Sequence, residues 1–232
     1  VNICLNYSER LIRKKYFLKI VFGKLLFFLS ACNESRIEGS NNNDNLVGTI
    51  DSDILLGFEG EDTFKAGTGN DIFDGGEDID TVNYSDVSSS INVNLSLESE
   101  QATVGVYTDT LINIENIIGS SFNDIIKDSQ ADNKFTGGFG DDTFEITAGY
   151  NTIMDLHTGD IITVGEGATI NALVDREFIA TSETINYGTF KLVASNNGAQ
   201  IDMSSTLAGD YILIGGSGND LLVGGPQDDI LT

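Results

Sequence analysis

A nine-residue period, carried by glycine and aspartate, constrains this chain more than any other feature. Residues 39–83 divide into five consecutive nonapeptides in which the eighth residue is always apolar and the sixth is always aspartate. Those sixth residues are Asp44, Asp53, Asp62, Asp71 and Asp80. A short period sustained in unbroken register predicts a chain that coils into a solenoid, in which each coil packs only against its neighbours.

The same period returns in two later parts of the chain. In residues 119–154 the sixth residues of the copies are Asp124, Asn133, Asp142 and Asn151. In residues 206–232 the sixth residues are Tyr211, Asp220 and Asp229. The sequence therefore predicts three arrays of one repeat, of which the last two are less regular than the first.

Each nonapeptide combines a turn with a short strand. Gly at positions one, two and four permits positive φ and close approach of the backbone, which predicts a turn over the first six residues. Residues seven to nine then form a strand whose middle residue points into the core. Two nonapeptides complete one coil, so strands eighteen residues apart pair in parallel about 4.8 Å apart. The predicted fold is all-β, a parallel β-helix or β-roll with β-strand inserts.

This stacking brings the aspartates of successive coils together. It pairs Asp44 with Asp62, Asp62 with Asp80, Asp53 with Asp71, and Asp124 with Asp142. Stacked carboxylates repel one another, whereas Ca²⁺ prefers six to eight hard oxygen ligands that two turns together can supply. The predicted calcium ligands are Asp44, Asp53, Asp62, Asp71, Asp80, Asp124, Asp142, Asp220 and Asp229.

Several copies match a known repeat closely. The nonapeptides GGFGDDTFE and GGSGNDLLV follow the pattern G-G-x-G-x-D-x-U-x, so the chain resembles the RTX (repeats-in-toxin) family of hemolysin-type calcium-binding repeats. The resemblance covers roughly half of the chain. It implies a β-roll that takes Ca²⁺ as its cofactor and folds outside the cell.

Some copies depart from the pattern. Phe122 at position four predicts a distorted turn, and the pair Asn133 and Asn151 carries no charge, which predicts weak binding or none. Tyr211 cannot replace an aspartate ligand. For any single copy, the alternative interpretation is that a Gly-Asn-Asp cluster simply marks an ordinary β-turn.

Composition narrows the possible partners. The net charge is -24, which argues against nucleic acid or anionic lipid and favours a bound cation. The single histidine, His157, predicts no histidine-based metal or catalytic cluster, and a surface position is expected for it. Asp155, Asp160 and Asp202 could be ligands, but they are expected to be solvated turn residues. No catalytic motif is present, so the chain is not expected to be an enzyme.

The segments outside the arrays have other characters. Residues 1–38 are basic and apolar, and the sequence Leu29-Ser30-Ala31-Cys32 resembles a bacterial lipobox, which implies a signal or lipoprotein leader with Cys32 as a lipid anchor. The alternative is an untidy translated leader or a fragment boundary. Residues 84–118 predict a β-strand connector, and residues 155–205 predict a β-rich insert. The third array, residues 206–232, is expected to be truncated within a coil.

Three functions remain open at this point. The first is a secreted or cell-surface module that folds when it binds calcium outside the cell. The second is the calcium-binding portion of a larger secreted enzyme or toxin, of the serralysin or lipase kind, and the third is a fragment of a surface adhesin. The sequence identifies no protein or glycan target.

Overall fold

The computed structural model describes residues 35–97, 102–194 and 198–232. It also gives the backbone of an antiparallel pair formed by β1 (Val21–Phe22) and β2 (Leu25–Leu26). The last four residues of the predicted leader form β3 (Ser35–Glu38), which pairs in parallel with residues 53–56, whereas Cys32 and its lipobox resemblance lie outside the described residues. That prediction therefore stays a prediction.

Two long sheets, each of ten strands among the described residues, form the two walls of the solenoid. The first contains, in spatial order, β20 (Ile185–Asn186), β17 (Ile161–Val164), β15 (Thr143–Ile146), β13 (Ile125–Lys127), β9 (Ile91–Asn94), β10 (Ala102–Val104), β11 (Tyr107–Ile112), β7 (Ile72–Gly76), β5 (Asp53–Phe58) and β3 (Ser35–Glu38). The second contains β25 (Ile230–Leu231), β23 (Tyr211–Ile214), β21 (Thr189–Ala194), β18 (Thr169–Val174), β16 (Tyr150–Leu156), β14 (Lys134–Thr136), β12 (Asn116–Ile118), β8 (Thr81–Asn83), β6 (Thr63–Lys65) and β4 (Asn45–Val47). A smaller third sheet contains β19 (Glu177–Ile179), β22 (Gln200–Asp202) and β24 (Leu221–Val223).

Consecutive repeats alternate between the two walls, as the period predicts. In the first array Leu46 of β4 pairs with Phe64 of β6, eighteen residues later, and Phe64 pairs with Val82 of β8, all in parallel. On the other wall Leu55 of β5 pairs with Phe73 of β7. The prediction of an all-strand parallel β-solenoid is confirmed.

The core is a row of side chains from the eighth position of each repeat. Phe64, Phe73, Val82, Phe135 and Phe144 are all fully buried between the walls. Burying such side chains stabilises the fold by about 1.5–3 kcal/mol each, which makes this row the main apolar contribution of each coil. The apolar position was therefore assigned correctly from the sequence.

An antiparallel meander interrupts the regular coil in the first wall. β10 pairs antiparallel with β9 on one side and with β11 on the other, which inserts the meander between β7 and β13. Most strands from residues 84–118 and 155–205 lie in the same two walls as the arrays, whereas β19 and β22 lie in the third sheet. The division of the chain into arrays, connector and insert stays a prediction.

Helices are absent from the described residues, all of whose regular structure is β. These residues accordingly offer no helical segment with the length and apolar character that a bilayer crossing requires.

Candidate metal-binding turns

The predicted aspartate pairs meet in the structure, through a hydrogen bond from backbone to side chain. The N–H of Asp44 donates to Oδ1 of Asp62 at 2.7 Å, and the N–H of Asp62 donates to Oδ1 of Asp80 at 2.8 Å. The same bond joins Asp53 to Asp71 at 2.9 Å and Asp124 to Asp142 at 2.8 Å. Each aspartate therefore connects two coils, and one of its carboxylate oxygens is already used in holding the solenoid together.

The second carboxylate oxygen divides the turns into two kinds. In the first kind, here called hydroxyl turns, residue two is Ser or Thr and donates to the aspartate of its own turn. The Oγ1 of Thr49 donates to Oδ2 of Asp53 at 2.9 Å, and both the N–H and Oγ of Ser40 donate to Oδ2 of Asp44. The N–H of Ser120 likewise donates to Oδ2 of Asp124 at 2.6 Å. In hydroxyl turns the carboxylate is saturated by the protein.

The remaining hydroxyl turn has an amide in place of the carboxylate at its sixth position. The N–H and Oγ of Ser129 donate to Oδ1 of Asn133, whose Nδ2 donates to the carbonyl oxygen of Glu115. The N–H of Asn133 in turn donates to Oδ1 of Asn151 at 3.1 Å. A neutral amide therefore fills the sixth position of a hydroxyl turn with its hydrogen bonds satisfied.

The second kind, here called open turns, comprises residues 57–62, 75–80 and 137–142. Oδ2 of Asp62, Asp80 and Asp142 is buried and has no hydrogen-bond partner. Buried polar atoms without a partner are rare and costly, by about 1–3 kcal/mol and more for charged groups. Three carboxylates with the same orphaned atom at the same repeat position indicate a missing positively charged ligand.

The backbone of the open turns also differs. Residues two and four of each have positive φ, at Phe58 and Gly60, Gly76 and Asp78, and Gly138 and Gly140. The corresponding residues of hydroxyl turns, including Asp51 and Phe122, do not. For a bulky residue such as Phe58, with φ of 83°, this conformation is strained, and strain of this kind concentrates at ligand sites. The distortion predicted at Phe122 is thus the hydroxyl-turn conformation, in which its N–H donates to Oγ of Ser120.

A small space lies beside each orphaned oxygen. A Cβ atom on Gly57 would collide with Oδ2 of Asp62 and with the carbonyl oxygen of Gly75 on the next coil. A Cβ on Gly75 would collide in the same way with Oδ2 of Asp80 and the carbonyl oxygen of Asn113. Glycine at position one therefore allows a cradle that a carboxylate and a carbonyl oxygen line, which is the ligand mixture that Ca²⁺ prefers. Gly119, in a hydroxyl turn, meets the same pair of oxygens, so the orphaned Oδ2 is what distinguishes the open turns.

Burial perturbs the acidity of these groups. Desolvation raises the pKa of Asp80 to about 6 and that of Asp142 to about 7, against the lowering effect of the backbone hydrogen bonds from Asp62 and Asp124. Repulsion from neighbouring carboxylates raises the pKa further but is the smaller cause. The repulsion between stacked aspartates, which the sequence suggested as the main penalty, is therefore secondary to the cost of burying charge.

Three other predicted ligands, Asp71, Asp220 and Asp229, belong to neither hydroxyl turns nor open turns. Asp71 is buried in a turn without a hydroxyl at position two, and burial raises its pKa to about 6. Asp220 accepts a hydrogen bond from the N–H of Ala199 at 2.7 Å, and Asp229 accepts one from Tyr211 at 2.8 Å. These last two carboxylates are only half-buried, so they lack the desolvation that marks the open turns.

Three acidic residues that the sequence did not predict as ligands continue the stacks. Oδ1 of Asp109 accepts the N–H of Asp71, and Oε2 of Glu115 accepts the N–H of Asp80. Oδ1 of Asp160 accepts the N–H of Asp142 at 2.9 Å. Asp160 is buried, so the expectation of a solvated turn residue is wrong. A signal existed, because Asp160-Ile161-Ile162 continues the register of the second array by one more copy.

His157 lies in that additional turn. Its Nδ1 is 3.5 Å from Oδ1 of Asp160, and its Nε2 is 3.2 Å from the carbonyl oxygen of Gly138. Burial lowers the pKa of the imidazole, but the Asp160 carboxylate and the nearby carbonyl groups of Thr158 and Gly138 outweigh it, so the pKa is raised. The side chain is partly exposed, at the edge of a cleft.

A parallel solenoid with stacked Gly-Asp turns, some of which bury an unpartnered carboxylate oxygen, is a β-roll built to hold cations. Comparison with protein families agrees. The RTX calcium-binding nonapeptide repeat matches in four copies, at residues 38–73, 47–82, 115–153 and 204–232. The chain belongs to the RTX calcium-binding repeat family, whose β-roll is a structural calcium-binding module. No significant match was found among curated proteins.

Proposed function

We propose that this chain is an extracellular structural module whose β-roll is completed by Ca²⁺ in the open turns at residues 57–62 and 75–80. The observation that carries the proposal is the pair Asp62 and Asp80. Their turns are neighbours on one edge of the solenoid, and each presents a buried carboxylate oxygen without a partner. Two such oxygens, with the carbonyl oxygens beside Gly57 and Gly75, supply the hard ligands that the ion requires.

The ligand set that we propose is smaller than the set of sixth-position aspartates. Asp44, Asp53 and Asp124 belong to hydroxyl turns, where the protein itself saturates Oδ2. Asp62 and Asp80 belong to open turns, where it does not. Calcium ions therefore bind between residues 57–62 and 75–80 at lower calcium concentrations than in any interval bounded by hydroxyl turns.

Folding outside the cell follows from the affinity expected for such a site. Extracellular calcium modules bind with dissociation constants of about 10⁻⁴–10⁻³ M, so the open turns are empty at cytosolic calcium and filled outside. At ten times the dissociation constant, each independent site stabilises the folded state by about 1.4 kcal/mol. The acidic composition and the basic, apolar residues before Gly39 support export, with Cys32 as a lipid anchor at the bacterial surface.

We assign the chain no catalytic role of its own. Buried acidic residues such as Asp62 and Asp80 serve the stacking of coils, and the β-roll of the matching repeat family is a structural calcium-binding module. A larger secreted enzyme or toxin, or an adhesin, that carries this module would use it in the same way.

A calcium titration of the full chain tests the proposal. Circular dichroism should show a cooperative gain of β-sheet signal as calcium rises through the millimolar range, and magnesium at the same concentration should not replace it, because Mg²⁺ demands a smaller octahedral site. A β-sheet spectrum that is unchanged between chelator and excess calcium would refute the proposal.

A further inference from the structure

The third open turn has a different neighbour from the other two. Asp62 and Asp80 face each other across one interval, with oxygen atoms on both sides. Asp142 instead faces residues 155–160, in which the third residue is His157 and the sixth is Asp160. The interval between Asp142 and Asp160 therefore contains an imidazole nitrogen, whereas the interval between Asp62 and Asp80 contains oxygen atoms.

Three ligand atoms, one from each of Asp142, His157 and Asp160, all lie within 4.8 Å of one another. Within the described part of the chain this is the one cluster of its kind among histidine, cysteine and acidic side chains. Asp142 and Asp160 are buried, and Oδ2 of Asp142 has no hydrogen-bond partner. The orphaned oxygen is a separate indication that the cluster lacks a cation, beyond the proximity of its acids.

The surrounding groups orient the cluster. Oδ1 and Oδ2 of Asp155 accept the N–H groups of Gly137 and Gly138, which fixes the open turn against the next coil. The N–H of His157 donates to Oδ2 of Asp160 at 2.9 Å. Nε2 of His157 lies 3.2 Å from the Gly138 carbonyl oxygen, and Nδ1 lies 3.2 Å from the Thr158 carbonyl oxygen and 3.5 Å from Oδ1 of Asp160. In the tautomer whose Nε2–H donates to Gly138, the lone pair of Nδ1 is left for a metal beside Asp160.

We propose that Asp142, His157 and Asp160 form a site for a divalent transition-metal cation, distinct from the calcium intervals of the solenoid. Ca²⁺ takes oxygen ligands, whereas imidazole suits Zn²⁺ and related cations, which also accept carboxylates. The cluster adjoins an open cleft lined by Gly138, Phe139, Asp155, Leu156, His157 and Thr158, with Asp175, Arg176 and Glu177 at its rim, through which an ion can enter.

The test uses the full chain in excess calcium, with Cys4 and Cys32 alkylated so that no thiol competes for metal. Circular dichroism first establishes that the protein is folded, so a failure of calcium-dependent folding is seen separately. Zn²⁺ is then titrated by calorimetry, and the imidazole nitrogens are followed by NMR. Because His157 is the single histidine, its nitrogen signals need no assignment.

We expect one Zn²⁺ per chain, a shift of the Nδ1 signal on binding, and a loss of affinity of about tenfold or more in His157→Gln and in Asp160→Asn. The control Glu166→Gln removes an exposed carboxylate elsewhere on the solenoid and should bind as the unaltered chain does. Unchanged nitrogen signals, equal affinity in His157→Gln, or complete displacement of Zn²⁺ by millimolar calcium would each overturn the assignment.

Discussion

The backbone N–H of Asp62 donates a hydrogen bond to Oδ1 of Asp80, while Oδ2 of the same Asp80 is buried without a partner. One oxygen of each open-turn carboxylate therefore holds the stack, and the other is left for an ion. The two roles can be separated by mutation, because an Asn side chain keeps Oδ1 and loses the charge.

Asp62→Asn should weaken calcium binding and leave the stack intact. The amide oxygen can still accept the N–H of Asp44, and the amide nitrogen takes the place of the orphaned Oδ2. Because an interaction with a charged group is worth about 1.5–3 kcal/mol, the calcium midpoint by circular dichroism should rise about tenfold or more. A midpoint within twofold of the unaltered chain would show that Asp62 is not a ligand.

Asp53→Asn is the matched change in a hydroxyl turn, since Asp53 and Asp62 are equally buried. Both oxygens of Asp53 accept hydrogen bonds, from the N–H of Ser35 and from Thr49, so an amide nitrogen must face a donor in either orientation. We expect a loss of about 1–3 kcal/mol in the free energy of unfolding by urea at saturating calcium. The effect should persist at every calcium concentration at which the chain is folded, in contrast to Asp62→Asn.

Gly57→Ala should disrupt the cradle from the glycine side. Its Cβ would meet both a carboxylate oxygen and a backbone carbonyl oxygen that cannot move away. Overpacking of this kind costs about 1–3 kcal/mol and also fills the space for the ion, so both the urea midpoint and the calcium affinity should fall.

The comparison for Gly57→Ala is Gly48→Ala. A Cβ on Gly48 would lie 3.2 Å from Oδ2 of Asp53 and 3.9 Å from Leu55, with no backbone atom in contact. Its effect on either measurement should be small. Equal losses in the two variants would contradict the cradle.

Acid should favour the calcium-free fold. The folded-state pKa values of Asp80 and Asp142 are raised to about 6 and about 7, above an unfolded value of about 4, so the folded chain binds more protons between these limits. Stability without calcium therefore falls as the pH rises from about 4 to about 7 and is constant above that window. Circular dichroism in chelator should show more β-sheet at the acid end, and the calcium affinity of the folded chain, measured by calorimetry, should fall there as protons compete for the same oxygens.

Phe144→Ala should abolish or severely weaken folding at any calcium concentration. Phe144 is fully buried in the row of eighth-position side chains, and truncating a core phenylalanine costs about 3–5 kcal/mol. Phe139, in the same repeat, is 80% exposed, so Phe139→Ala should change the urea midpoint little. If the two variants unfold alike, the register of the second array is wrong.

The regular parts of the fold were predictable because, in each nonapeptide, the apolar eighth residue marks the core and the sixth residue marks the turn. Leu55, Phe64 and Phe135 occupy the buried positions that the period assigns. The meander of β9, β10 and β11 was not predictable, because residues 84–112 leave the nine-residue register and antiparallel pairing obeys a different one. Asp109 consequently stacks on Asp71 at a separation of 38 residues, which no fixed period indicates.

The positions of the stacked aspartates were predictable from the sequence, but the difference between hydroxyl turns and open turns was not. The sequence indicated which aspartates stack, yet Asp53 and Asp62 occupy identical repeat positions and differ in whether a hydroxyl at residue two reaches the carboxylate. That difference depends on the three-dimensional turn, in which Thr49 and Phe58 adopt different backbone conformations. Asp160 and His157 were missed because residues 155–160 have no glycine at the first, second or fourth position and follow the predicted end of the second array.

The amides of Asn133 and Asn151 lie on the same edge of the solenoid as Asp62 and Asp80, beyond Glu115. Amides need no counter-ion, so the contact between these two residues does not depend on calcium in the way that is expected for Asp62 and Asp80. In a chain whose coils touch only their neighbours, calcium would then stabilise some coils directly and others only through the coils beside them.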